Sequence, residues 1–154
     1  MSSGRTVSVG LDGRRQSATL SGIDQLLANV GEFRKALMSL FIPSCCTALP
    51  EQFVSVCSSL SRVTFASGSV LKRIDKEAFS GCSQLREIEI PASVEEIGEG
   101  CFNQSSLSRF TFASGSVLKR IGKEAFSGCS QLQEIEIPAS IQVVDPIGVR
   151  VVRL

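Results

Sequence analysis

Histidine, tryptophan and tyrosine are all missing from this 154-residue chain, and methionine occurs only twice. Without histidine there is no commonest general base, no usual activator for a serine or cysteine nucleophile, and no favoured metal ligand. Most routes to catalysis close before any motif is sought, so no enzyme activity is expected. A surplus of one charge is missing too. Lys and Arg number 16 against 15 Asp and Glu, and the net +1 gives no global pull toward nucleic acid or anionic lipid. No apolar run approaches the ~18 residues a membrane span needs. The first twenty residues carry Arg5, Asp12, Arg14 and Arg15 where a secretion signal would have a continuous apolar stretch. On these residues alone the chain is expected to be cytoplasmic; if it is a fragment of a longer protein, the cell surface reopens.

What is present is a repeat. Residues 60–93 read LSRVTFASGSVLKRIDKEAFSGCSQLREIEIPAS, and residues 107–140 read LSRFTFASGSVLKRIGKEAFSGCSQLQEIEIPAS. The two stretches lie 47 residues apart and differ at three positions: Val63/Phe110, Asp75/Gly122 and Arg86/Gln133. A fixed period of this size marks a solenoid or array. The unit divides again. Leu60, Val63, Phe65, Ile74, Ala78, Phe79 and Leu85 outline one turn; Leu85, Ile88, Ile90, Ile97, Cys101, Phe102 and Leu107 outline a slightly shorter one. Each turn opens as Leu-x-x-apolar-x-apolar, whose last positions alternate at period two, as a strand with one buried face requires. Pro91 and Pro138 follow and close the strand.

The segments IPASVEEIGEGCF and IGKEAFSGCSQLQEIEIP resemble the BspA-like (Treponema-type) class of leucine-rich repeats. The likeness covers roughly residues 60–144, with a degraded turn before it at 41–59. It implies an α/β repeat fold: a leucine-rich-repeat solenoid of about four to five turns, with a short parallel β-sheet on one face and an N-terminal helical cap. Ile23, Leu26, Leu27, Val30, Phe33, Leu37 and Leu40 recur at helical spacing, with Ser21 as N-cap and Pro43 as stop. Asp12-Gly13 is a turn signal between two short strand-like runs. The expected division is therefore a cap over residues 1–41, hairpin plus amphipathic helix, and a solenoid over 42–154 with degraded first and last turns. Adding the 47-residue period to Ile97, Phe102 and Leu107 places the last turn at Val144, Val149 and Leu154.

Equivalent positions in stacked turns stand about 4.8 Å apart, so charges read as ladders. On the strand face the series is Arg62, Glu87, Arg109, Glu134. In the following loop the series are Lys72, Glu95, Lys119 and Arg73, Glu96, Arg120, and a fourth is Lys76, Glu99, Lys123. Lys72, Arg73, Lys119 and Arg120 would make a basic patch for phosphate. Strict sign alternation favours instead charges neutralised between turns, so no nucleic-acid partner is expected. That leaves the outward strand positions for a partner: Arg62, Thr64, Glu87, Glu89, Arg109, Thr111, Glu134 and Glu136. A solenoid's strand row commonly lines its ligand-facing side.

Other chemistry is thin. Cys57, Cys82 and Cys129 each precede a frame leucine by three residues, and Cys101 takes a slot filled elsewhere by Ala78 and Ala125. Such positions behave as small buried residues, and no zinc-like cysteine spacing exists. Gly98-Glu99-Gly100 lacks the strand–glycine–helix context of a phosphate loop. Glu87/Glu89 and Glu95-Glu96 lie on an open surface without the desolvation that acid catalysis needs. Thus no catalytic, cofactor or metal residue is expected. The function expected is a non-catalytic protein-binding or scaffolding module acting through its strand face. A fragment of a cell-surface adhesion protein is the alternative, and an enzyme a distant third.

Overall fold

The computed structural model describes residues 6–11, 14–19 and 35–153. Lys35 and Ala36 are helical, and the other described elements are strands. A hairpin, β1 (Thr6–Leu11) with β2 (Arg14–Thr19), leads into one long strand per turn: β3 (Leu37–Ile42), β5 (Arg62–Phe65), β7 (Glu87–Ile90), β9 (Arg109–Phe112), β11 (Glu134–Ile137) and β13 (Arg150–Arg153). Between them run the two-residue strands β4 (Ala48–Leu49), β6 (Arg73–Ile74), β8 (Glu96–Ile97), β10 (Arg120–Ile121) and β12 (Val143–Val144). These five short strands form one continuous parallel sheet. They count the turns as five, and the fold is a β-solenoid with an LRR-like frame.

Three walls enclose the core. The short-strand sheet stacks Leu49, Ile74, Ile97, Ile121 and Val144 in register, the first four of them buried. The second wall is the long-strand row. The third wall has no regular label but follows a strict rule. Amides of Glu77, Phe79 and Gly81 donate to carbonyls of Glu99, Cys101 and Asn103 in the next turn, at 2.9, 2.8 and 2.8 Å. The intervening amides of Ala78, Ser80 and Cys82 donate three residues back within their own turn. Backbone polar groups in this wall are thereby satisfied while Ala78, Phe79 and Cys82 point inward, fully buried. Phe79, Phe102 and Phe126 stack through the interior with centroids 5.4 and 5.6 Å apart and rings within 5° of parallel. The turns also approach closely: a Cβ on Gly98 would lie 2.6 Å from the Asp75 carbonyl carbon, so only glycine fits there.

The expected helical cap falls mostly on residues 21–34, which lie outside the described ones. Lys35 and Ala36 are helical, but the expectation is corrected at Leu37 and Leu40, which the helical series includes and which belong to strand β3. There β3 pairs parallel with β5 and antiparallel with β1. From residue 37 onward the described elements are all strands, so the α/β expectation does not hold for the solenoid itself. The register between β1 and β3 passes from Leu11↔Leu37 to Gly10↔Ser39, leaving Met38 as an extra residue. A bulge of this kind reverses side-chain parity. Leu37 and Leu40 therefore both face inward at a spacing that imitates a helix.

The last turn is corrected as well. Val144 takes its expected place beside Ile121. However, Phe126 donates to the carbonyl of Ile147, which takes the slot of Cys101 and Ala125 one residue earlier than the 47-residue period gives. The slot of Phe102 therefore falls one residue before Val149; Ile147 is buried and Val149 is half-buried against the core. Only five residues separate β12 from β13, and β13 then closes directly onto β11.

The long strands do not form one unbroken sheet. Ladders join β3 to β5, β7 to β9 and β11 to β13, but among the described residues none joins β5 to β7 or β9 to β11. Both seams fall where the chain takes its longer turn, 25 residues from Arg62 to Glu87 and from Arg109 to Glu134, against 22 from Glu87 to Arg109.

Candidate binding face

Alternation along β5, β7, β9 and β11 sets which side chains leave the solenoid. Ile88, Ile90, Phe110, Ile135 and Ile137 are buried; Val63, Phe65 and Phe112, beside the seams, are half-buried. Arg62, Thr64, Glu87, Glu89, Arg109, Glu134 and Glu136 are exposed, and Thr111 is half-buried. All eight residues singled out from the sequence thus lie on one outward face of four strands.

The charges of this face are left unneutralised. Glu87 stands in register with Arg109, yet no ion pair forms between them. Among the eight, the described contacts include one ion pair, Glu134 with Arg150 at 4.0 Å, between exposed groups. The lateral loops behave differently. Glu95 bridges Lys72 at 2.9 Å and Lys119 at 2.5 Å, and Lys76 meets Glu99 at 3.4 Å. The Lys119 and then the Lys72 hydrogen bond hold the Glu95 carboxyl at a pKa of about 2, far below its ordinary range. The Arg73, Glu96, Arg120 series stands in register without pairing across it. Arg73 turns to Asp75 at 3.5 Å, whereas Arg120, whose own turn has Gly122 in that slot, reaches Asp145 at 3.7 Å. Lys123 pairs with Glu124 at 3.7 Å. The basic patch considered above is therefore largely occupied by carboxylates.

The first seam opens as a groove of about 910 Å³, lined by β5, β7 and the start of β9. It adds Arg86 to the face, a residue the strand alternation alone did not select. The signal was present in the sequence: Arg86/Gln133 is one of three differences between otherwise identical stretches. A smaller groove of about 500 Å³ marks the second seam.

No disulfide joins the six cysteines; Cys45 is exposed and the other five are buried. Burial pushes the Cys101 thiol well up and raises that of Cys129 as well. Cys129 Sγ donates to the Phe102 carbonyl at 3.1 Å and Cys82 Sγ to that of Val54 at 3.4 Å, so these groups serve the core. Among the described residues no cluster of Cys, Asp or Glu is arranged to hold a metal ion, and no helix is long and apolar enough to cross a membrane.

The family model for the BspA-type leucine-rich-repeat region matches six copies over residues 47–146. Among solved structures, the pneumococcal vaccine antigen PcpA is 32% identical with a TM-score of 0.68 over 79% of this chain and 30% of its own. A leucine-rich-repeat protein from Bacteroides ovatus is 29% identical (TM-score 0.62, 78% of this chain, 31% of that one). A leucine-rich cell-surface protein from Faecalibacterium prausnitzii is 27% identical (TM-score 0.51, 71% and 35%). The chain thus spans about a third of the length of each. No curated protein sequence matches it.

Proposed function

Because the chain belongs to the BspA-type leucine-rich-repeat family, we propose that it is a non-catalytic module that binds a partner protein on the exposed face of β5, β7, β9 and β11. One observation carries this. Apart from Glu134, the charged side chains of the strand face make no ion pair among the described residues, whereas in the lateral loops Lys72, Lys119 and Lys76 are consumed in contacts between turns. A surface whose hydrogen-bonding groups are uncommitted has them available for a partner. The test compares two variants after each is shown to fold. Arg62→Glu/Thr64→Asp/Arg109→Glu alters the strand face; Lys72→Gln/Lys119→Gln alters the lateral loops. A partner that the wild type and the loop variant retain, and the strand-face variant loses, supports the proposal. The reverse pattern overturns it.

The second reading, part of a cell-surface adhesion protein, is favoured by the similarity to the F. prausnitzii surface protein and to the pneumococcal antigen. The cytoplasmic expectation finds no support in these relatives. Nor do the cysteines require a reducing compartment, since five of six thiols are enclosed by the core and shielded from oxidants. Labelling of intact cells with an antibody against the chain decides the location. Signal only after lysis would count against the surface.

A further inference from the structure

We infer that the first seam of the strand face docks an extended acidic segment of a partner protein, whose carboxylates are held by Arg62, Arg86 and Arg109. The inference deepens the strand-face proposal and rests on it. The three arginines come from three successive long-strand turns and line one groove of about 910 Å³ between β5, β7 and β9. All three are exposed, and their guanidinium groups make no ion pair or hydrogen bond among the described residues. A guanidinium offers a planar fork that matches a carboxylate with two parallel hydrogen bonds.

Geometry decides how such a segment lies. Backbone atoms of β5 and β7 approach within 8 Å. An added strand between them would need about twice the 4.8 Å inter-strand spacing, so the segment is read by side chains from above the seam. Arg62 and Arg109 stand two turns apart, roughly 10 Å, which an extended chain covers in about three residues. Acidic residues about three positions apart therefore meet Arg62 and Arg109, and one between them is within reach of Arg86. Glu87 and Glu89 line the same groove. They would repel the dense, continuous charge of a nucleic acid, whereas a protein segment spaces its carboxylates and passes between them.

The second seam is an internal control. It keeps Arg109 and has Arg150 in register with Glu134, as Arg109 is with Glu87, but Gln133 stands where the first has Arg86. Arg150 pairs with Glu134 and Glu136 lines the groove, so three unpaired arginines come together only at the first seam among the described residues.

The test is fluorescence anisotropy at 0.15 M NaCl with labelled hexaglutamate, hexalysine and a short single-stranded DNA. Wild type is expected to bind hexaglutamate saturably and in preference to the other two. Arg86→Gln, which converts the first seam to the second seam's residue, should weaken binding about tenfold or more, since hydrogen bonds to charged groups contribute on that scale. Lys72→Gln/Lys119→Gln should leave it unchanged. Arg86→Gln should keep the wild-type melting curve, because the residue is exposed and unpaired, whereas Lys72→Gln/Lys119→Gln should fold and melt only slightly lower, having lost the Glu95 ion pairs. Absence of saturable hexaglutamate binding, equal binding by Arg86→Gln, or preference for DNA overturns the inference. If partner capture still depends on the strand face in that event, only the acidic-segment inference falls. If capture is insensitive to the strand face, the proposal beneath it falls as well.

Discussion

Val56 shows how much a single residue is asked to bear. The first four turns each place two residues at positive φ on the third wall, and where Val56 holds φ 53 the later turns put Gly81 (φ 71), Gln104 (φ 56) and Gly128 (φ 76). A β-branched side chain in that region costs about 1–3 kcal/mol, against roughly 0.5–1 kcal/mol for the greater unfolded freedom of glycine. Val56 is 61% exposed, so little packing is lost with it. Val56→Gly is therefore expected to stabilise by about 1 kcal/mol and raise the Tm by a few degrees; an unchanged or lower Tm would show that the strain is relieved elsewhere. Glu95 makes a second test. Its folded pKa, about 2, lies below the ordinary 4.5, so its contribution is fully present above pH ~4.5 and is lost as pH falls toward 2. The Tm difference between wild type and Glu95→Gln should hold steady from pH 7 to about 5 and then shrink on acidification. A difference independent of pH would mean that the two lysines do not act through its charge.

At the scale of elements, the phenylalanine stack and the outward strand positions make opposite demands. Phe102 touches Phe79, Phe126 and the edge of Phe110 at 5.2–5.6 Å. Phe102→Ala should cost about 3–5 kcal/mol, whereas exposed Thr64→Ala should stay within ~0.5 kcal/mol. Denaturant melts of the two variants check this, and equal losses would invert the assignment of inside and outside. That assignment was legible because period-two alternation in REIEI and SRVTF survives translation into four-residue strands. Where the helical series ends was not legible, because the bulge at Met38 moves Leu37 and Leu40 to one face, and helical spacing is the simpler inference from i and i+3. The shortened last turn was hidden for a different reason. A period of 47 extrapolates faithfully to Val144, but the deletion that follows carries no residue to mark it, and Ile147 fills the slot instead. In the candidate site, strand alternation selected eight residues and missed Arg86, which precedes its strand and enters the face through the seam.

Across the whole molecule, stability is transmitted from turn to turn, and the three walls do not transmit it equally. The short-strand sheet and the third wall are hydrogen-bonded across every neighbouring pair of turns, while the long-strand row is interrupted at β5/β7 and β9/β11. Sign alternation could be read at a distance, but the interruption depends on three extra residues in alternate turns, whose effect on strand pairing has no residue signature. Its consequence can be measured. Arg109 and Ala113 donate to the carbonyls of Arg86 and Ile90, so alternate amides of β9 point at β7. Glu87 occupies in β7 the position that Arg109 occupies in β9. The amides of Glu87 and Glu89 therefore point across the first seam, where no ladder receives them, and those of Glu134 and Glu136 point across the second. Amide exchange should be markedly faster at these four residues than at Arg109 and Thr111, because an amide without a ladder partner needs no opening of the fold to exchange. The amides of Ile74, Ile97 and Ile121 should exchange slowly along the whole solenoid. Uniform protection along the long-strand row would mean that the seams close in solution, and the groove carrying Arg62, Arg86 and Arg109 would close with them.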